Sequence, residues 1–446
     1  MTLQVAFYGD DFTGSSDNLA QFHHHGLRAM LFFDATDRDA LRRHSEQLDI
    51  LGVAGISRSL PPRQMVQELR PCFSALAELR PRFVQYKICS TFDSGIECGN
   101  FGTVIDEARR HWPGCVVPVY AAVPQFGRYT VFGNHFADHR GTVSRLDRHP
   151  SMSQHPVTPM GESDLMAHLA SFGHDDVRLL DVLALGMGRK AAQRRLDELL
   201  VAGDDLFVLD TLTPEHLILG STLLWELSGR RPVFALAAQG LAHGLGQLLG
   251  REQGIGKGLA GVEKLLVLSG SCAPRTASQI AVAAAAGFTV LQFNVPQLLR
   301  FGGESRVVGL LVEAATQAFK NADGVIIHTA LGPDDPSIAE SKDAGLPGEE
   351  VVRRIGHAFA GIFHALIDNG SVRRAVFAGG DTSSHAMRAC GAYALSIVAS
   401  DFQENAHLCR LHSHTPAMDG AEVLLKGGQV GSDEFLLKAR SGSAYV

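Results

Sequence analysis

The chain carries no block of like charge, no Cys-x-x-C pair and no long unbroken apolar run. Its 40 Lys and Arg against 47 Asp and Glu leave a net charge of −7 spread over 446 residues. That excludes the basic stripe that counterion release on nucleic acid requires, and a polybasic membrane patch. The longest weakly polar stretch, Ile280 to Phe293, is rich in Ala and falls short of the roughly 20 residues that cross a bilayer. Met1-Thr2-Leu3-Gln4-Val5 runs directly into a strand-like segment without the charged and apolar regions of a signal peptide, so a cytoplasmic location is expected. The seven cysteines (Cys72, Cys89, Cys98, Cys115, Cys272, Cys390, Cys409) are scattered and odd in number, which argues against a disulfide framework or structural zinc and for small buried apolar residues. No internal repeat and no low-complexity tract is present. What remains is an ordinary globular composition, 45% hydrophobic and 20% charged, whose partners are expected to be small molecules; a homo-oligomer is left open.

At roughly 150 residues per domain the length allows two or three domains. Short β-branched or aromatic runs alternate with longer helix-period segments, the pattern of parallel strands joined by crossover helices. Strands are expected at Leu3 to Tyr8, Arg28 to Phe33, Ile50 to Ile56, Phe83 to Ile88, Val116 to Ala121, Val177 to Val182 and Leu206 to Leu209, with helices at Pro62 to Leu79 and Lys190 to Val201. Eight glycines between Gly240 and Gly261 read as a linker or hinge around a short helix. The rhythm restarts at Lys264 to Leu268, Thr289 to Phe293, Gly324 to His328, Ala375 to Phe377 and Ala394 to Val398, with Glu349 to Ile367 as the longest helix. The fold class is therefore α/β, two α/β domains with mainly parallel sheets flanked by helices: residues 1–240, a Gly-rich linker 241–261, and 262–446.

The first strand ends in Gly9-Asp10-Asp11-Phe12-Thr13-Gly14-Ser15-Ser16-Asp17. In an open α/β sheet ligands bind beyond the strand C-termini, so Asp10 and Asp11 are placed for proton transfer or metal binding, although either could simply cap the following helix. Lys87-Ile88-Cys89-Ser90-Thr91 after the fourth strand offers an ammonium and hydroxyls. Arg58, after the third, offers a guanidinium able to clamp a carboxylate. Acid, Arg, Lys and hydroxyl at three strand ends of one sheet edge point to an anionic, polyhydroxylated ligand. The second half holds three small-residue turns, Ser269-Gly270-Ser271-Cys272, Gly379-Gly380-Asp381-Thr382-Ser383 and Lys426-Gly427-Gly428-Gln429. The first two lead into helices, and together the three look like a nucleotide phosphate site.

Other motifs fail. Before Gly256-Lys257 a Walker A loop needs Gly where Arg251 stands, and Gly258 replaces the required Ser or Thr. Gly254-Ile255-Gly256-Lys257-Gly258 follows no strand, so it is a poor dinucleotide fingerprint. His23-His24-His25 points around a helix. His135 and His139 fall at i, i+4, as on one helical face, but Phe136 stands where a zinc protease has Glu. Metal ligands remain unknown.

With these segments the chain resembles the four-carbon acid sugar kinase family. The likeness rests on Asp-Asp-Phe-Thr-Gly-x-x-Asp at Asp10 to Asp17, Lys87 to Ser94, His155-Pro156-Val157-Thr158-Pro159-Met160, Leu268 to Cys272, Gly379 to Ser383 and Lys426 to Gly431, in order along nearly the whole chain. The resemblance implies an ATP-dependent kinase, with Mg²⁺, that phosphorylates a hydroxyl of a four-carbon sugar acid such as threonate, erythronate or 3-oxo-tetronate. It implies an N-terminal sugar-acid domain, a C-terminal nucleotide domain and an active site in the inter-domain cleft. Asp11, preferred over Asp10, is the implied catalytic base. Arg58, Lys87, Cys89, Ser90 and Arg128 would bind the sugar acid. Ser269, Gly270, Ser271, Gly379, Gly380, Asp381, Thr382, Gly427 and Gly428 would bind ATP. Cys89 stands where many relatives carry Asp, and the oxo-tetronate kinases share the Cys form, whereas Lys426-Gly427-Gly428-Gln429-Val430-Gly431 departs from their Lys-Ser-Gly-Asn-Phe-Gly, so the acid stays open. The competing functions are an NAD-dependent dehydrogenase of a small hydroxy acid and a non-catalytic sugar-acid sensor.

Overall fold

The structure is a computed structural model that describes residues 3–155, 158–250, 259–300, 303–342, 345–403 and 406–442. The chain forms two compact units, Met1–Gln253 and Gly254–Val446.

In the first unit the strands are β1 (Val5–Gly9), β2 (Ala29–Phe32), β3 (Ile50–Ala54), β4 (Phe83–Lys87), β5 (Val117–Tyr120), β6 (Arg128–Val131), β7 (Asn134–His139), β8 (Thr142–Arg145), β9 (Arg178–Leu180), β10 (Leu206–Leu209) and β11 (Phe234–Ala237). Eight of them make one parallel sheet in the order β2-β3-β1-β4-β11-β5-β10-β9. Its central strands are buried along their whole length, as expected where helices cover both faces. Gly9 pairs with both Ala54 and Lys87, so β1, β3 and β4 end level. The chain crosses from β3 over β1 to β4, and ligands bind at such reversal points. Gln85, fully buried on β4, bonds Asn18 on the helix Phe12–His24 (3.0 Å) and the carbonyls of Ala237 and Ala238. This fixes that helix against the sheet.

Two features depart from expectation. An antiparallel sheet, β6-β7-β8, occupies residues 128–145, so His135 and His139 lie on a strand rather than a helix. Beyond β9 the chain turns at once into a helix, Val182–Gly186, because Asp181 caps it through Ala184 N (2.8 Å). The glycine-rich stretch holds the short helix expected there, Gln239–Leu249, as part of the first unit. A Cβ at Gly240 would stand 2.5 Å from Ala122 O, at Gly244 2.6 Å from Ser221 Cβ, and at Gly246 against the His25 ring. These glycines permit close helix packing. Residues 251–258 lie outside the described residues.

The second unit holds β12 (Leu265–Ser269), β13 (Thr289–Gln292), β14 (Gly324–His328), β15 (Arg374–Ala378), β16 (Ala392–Gln403), β17 (Ala406–Ser413) and β18 (Glu422–Lys426). The order is β13-β14-β12-β15-β18-β17-β16; β17 runs antiparallel to both β16 and β18, and the other pairs are parallel. Its core packs Leu265, Val267, Ile326, Val376 and Leu424 of the sheet against Ile280, Ala283, Phe435 and Leu436 of the flanking helices. No disulfide joins the seven cysteines among the described residues; Cys72, Cys115, Cys390 and Cys409 are buried. Among the described residues no helix is long and apolar enough to cross a membrane.

Candidate active site

The level ends of β1, β3 and β4 bring Asp10, Asp11, Arg58 and Lys87 together. Asp10 N donates to Lys87 O (3.0 Å) and Arg58 N to Asp10 O (3.1 Å), which ties the three loops to one another. Asp10, 1% exposed, receives a bidentate pair from Arg58, Nε to Oδ2 at 3.1 Å and Nη2 to Oδ1 at 2.7 Å. Arg58 Nη2 also reaches Asp11 Oδ1 at 2.7 Å. Asp11 caps the helix Phe12–His24 by accepting from Gly14 N (3.1 Å), so it serves as a cap and as a member of the cluster. Lys87 is 2% exposed, and the charge of its ammonium favours the ionised form of both Asp10 and Asp11. A Cβ on Gly14 would stand against Asp11 Oδ1 and 2.7 Å from that ammonium, so a side chain there would displace both charged groups.

Burial pushes the Asp10 carboxyl up, aided by the charge of Asp11 and opposed by Arg58. For Asp11 burial acts the same way, but Arg58, Lys87 and the Gly14 N–H outweigh it and hold the carboxyl below its usual range. The pair is split: one carboxylate locked to a guanidinium and one ionised and 30% exposed. Splitting two carboxyls in this way is how acid and base roles separate. The bidentate face of Arg58 is already spent on Asp10, so the clamp on a ligand carboxylate expected from the sequence is not free in this arrangement; only Nη1 is left.

Cys89 follows β4, and burial raises its thiol above the usual value, which keeps it neutral. Its Sγ lies 3.0 Å from Thr91 Oγ1, and Thr91 donates to Asp93 Oδ1. Phe92 adopts φ 59°, a left-handed conformation that bulky residues avoid unless their surroundings impose it. Two contacts hold this turn: Ser94 Oγ to His168 Nε2 (2.8 Å) and His135 Nε2 to Ser90 O (2.8 Å). The carbonyl accepts, so His135 Nε2 carries the proton and Nδ1 takes the Thr130 hydroxyl (2.9 Å). Burial drops the His135 pKa to about 4. Arg128, at the start of β6, spends Nη1 on the carbonyls of Phe126, Gly127 and Asp138. It makes no hydrogen bond or ion pair to Asp10, Asp11 or Lys87 among the described residues.

In the second unit β12, β15 and β18 are neighbours, and Ser269 pairs with Ala378 and Ala378 with Lys426. The three small-residue turns therefore sit side by side. Gly270 N donates to Ala378 O (2.9 Å) and Gly379 N to Lys426 O (3.0 Å). Gly379 has φ 113° and caps a helix that starts at Gly380, so Gly380 and Thr382 belong to its first turn, where N–H groups lack partners. A Cβ on Gly270 would meet Thr382 Oγ1 at 2.5 Å, and one on Gly428 would meet Ala273 Cβ at 2.9 Å. Ser269 Oγ and Ser383 Oγ are buried with no hydrogen-bond partner. A cradle of close backbone, two helix N-termini and unpaired hydroxyls suits a polyphosphate. Ser271 Oγ accepts from Ala273 N (3.2 Å). Gly427 continues the third turn; the Asp381 side chain lies outside the described residues.

Residues 5–245 match a family model described as a sugar-binding N-terminal domain, and residues 266–436 match one described as a nucleotide-binding C-terminal domain. A 3-oxo-isoapionate kinase of Paraburkholderia graminis is 37% identical over 451 residues, covering 99% of this chain and 94% of that one. The chain belongs to the four-carbon acid sugar kinase family. The kinase is also 29% identical to a 3-oxo-tetronate kinase of Methylobacterium radiotolerans, over 98% of this chain and 99% of that one. A solved structure from Salmonella typhimurium shares the kinase fold, with TM-score 0.80 and 22% identity over 98% of this chain and 99% of that one. These names favour phosphoryl transfer over the dehydrogenase and sensor readings.

Sequence reasoning passed over three residues of the kinase: His135, read only as a failed zinc motif; Thr276; and Lys426, seen only as the first letter of a turn. The one signal for Lys426 was a charged residue closing the apolar run Val423-Leu424-Leu425 before two glycines.

Proposed function

We propose that the protein transfers the γ-phosphoryl group of ATP to a hydroxyl of a 3-oxo sugar acid, of the class named for its relatives. The observation that carries this reading is the cluster at the ends of β1, β3 and β4: an ionised, partly exposed Asp11 beside the buried Lys87 ammonium, whose charge acts on both carboxyls. Lys87 and Arg58 Nη1 receive the substrate carboxylate, while Asp10 holds Arg58 in place. Asp11 accepts the proton as the hydroxyl oxygen bonds to the γ-phosphorus; the bond from phosphorus to the β,γ-bridging oxygen breaks and ADP leaves with the electron pair. Neutral Cys89, in place of the carboxylate of many relatives, keeps a negative charge away from an anionic substrate.

Among the described residues no group of three His, Cys, Asp or Glu gathers to hold a metal. Mg²⁺ accompanying the nucleotide would neutralise charge on the triphosphate. Ser269, Ser383 and the backbone around Gly270, Gly379 and Gly428 line the phosphates.

A coupled ADP-release screen over threonate, erythronate, their 3-oxo forms and 3-oxo-isoapionate, each enantiomer separately, tests the reading. Turnover is expected with a 3-oxo acid. ATP consumption with none of them overturns it.

A further inference from the structure

Lys426 closes β18 at 2% exposure, and the phosphate cradle as described makes no use of its charge. Its ammonium donates one hydrogen bond, to Thr276 Oγ1 at 3.2 Å, and lies 5.7 Å from the centre of the Phe435 ring. No carboxylate pairs with it among the described residues. The charges of the surrounding elements are committed elsewhere: Glu422 to Arg374, Asp433 to Arg275 and Ser278, Glu434 to Lys438, Asp323 to Arg440. His385 and Arg388 on the helix from Gly380, and His407 and Arg410 on β17, bring no negative charge to it, and the Asp381 side chain lies outside the described residues. Burial pulls the ammonium down to about 8.

A buried cation with one neutral hydrogen bond is costly unless a negative charge compensates it. The place where such a charge would arrive is adjacent. Thr276 Oγ1 lies 2.7 Å from Gly428 O and 3.3 Å from Ser271 Oγ, so the Lys426–Thr276 contact joins the turn after β18 to the turn after β12. The hydroxyls of Ser269 and Ser383, buried and unpaired, belong to the same group of turns.

We propose that Lys426 is a positioning residue whose buried ammonium, acting through Thr276 on the first and third turns, supplies the counter-charge for a bound nucleotide polyphosphate. The inference rests on the nucleotide reading of those turns. It couples binding to protonation: below about pH 8 the ammonium is already present, and above it each nucleotide must bring a proton with it.

Calorimetric titration of the full-length protein with ATP, ADP and adenosine between pH 7.5 and 9.5, in buffers of different ionisation enthalpy, tests this. ATP and ADP affinity should hold to about pH 8 and then fall about tenfold per pH unit with proton uptake, while adenosine affinity stays flat. In Lys426→Met, ATP and ADP should weaken by about tenfold or more with the pH break gone, and adenosine should change little. Lys426→Arg should restore affinity without the break. Wild-type ATP affinity that is level through pH 8, or a Lys426→Met loss equal for ATP and adenosine, overturns the proposal. Should Lys426→Met fail to fold, the wild-type pH series still decides. Wild-type protein that binds neither ATP nor ADP overturns the nucleotide reading itself, a result distinct from ATP binding that ignores Lys426.

Discussion

Asp10 and Asp11 are chemically identical neighbours with opposite surroundings, and that difference separates their expected losses. Asp11→Asn removes the ionised, partly exposed group and should lower kcat by about 100-fold or more while leaving the KM for ATP near its original value. Asp10→Asn leaves the Arg58 guanidinium without its bidentate partner and should destabilise the first unit by about 3 kcal/mol, visible as a lower urea midpoint. Equal effects of both variants on kcat, with no change in stability, would contradict this division. The residue types were legible in the sequence because charged and hydroxylated side chains stood at three strand ends. The direction of Arg58 was not, because its choice of Asp10 over a ligand depends on the register that sets Gly9 beside both Ala54 and Lys87. Burial of Lys426 was hidden for a similar reason: a lysine carries no mark of what will cover it.

At the scale of elements, the two units repeat one arrangement. In each, the first strand is central, the second lies at the edge, the third falls between them, and the fourth crosses to the far side (β2-β3-β1-β4 and β13-β14-β12-β15). Both candidate sites sit at that crossing, which is why strand-end residues were a sound guide in both halves. The β6–β8 sheet was missed because its strands are short and half-exposed, with little apolar alternation to read. Glycine density around the short helix Gln239–Leu249 reads locally as a hinge, whereas its packing against Ser221 and Ala122 is a long-range fact. Gly244→Ala should therefore cost about 1–3 kcal/mol through overpacking, measured by chemical denaturation; a linker position would tolerate it.

His135 carries the turn at Ser90 from β7 and shapes the acid response of the first unit. Its folded pKa of about 4 lies below the usual imidazole value of 6.5, so the unfolded chain binds the extra proton first. Stability from this residue is complete above pH 6.5 and is lost as pH falls toward 4, by about 3 kcal/mol at most. Urea midpoints of the first unit at pH 7 and pH 5 should differ, and His135→Gln should shrink the difference. Equal slopes in the two proteins would assign the acid response to other groups.

For the whole molecule, the two units present different chemistry at equivalent places, cation and carboxylate in one and backbone cradle with unpaired hydroxyls in the other. Hydrogen exchange should show a sugar acid alone protecting the segments around Asp10 to Gly14 and Lys87 to Ser94, and ADP alone protecting those around Ser269 to Thr276, Gly379 to Ser383 and Lys426 to Gln429. The most direct measurement is a phosphorus NMR time course of the full-length protein with ATP, Mg²⁺ and each candidate acid. A phosphomonoester resonance should grow as the γ-phosphate signal falls, in equal amounts, with a 3-oxo acid and wild-type protein, and should be about 100-fold slower with Asp11→Asn. ATP that stays intact with every acid, or that yields only inorganic phosphate, would contradict phosphoryl transfer to a sugar acid.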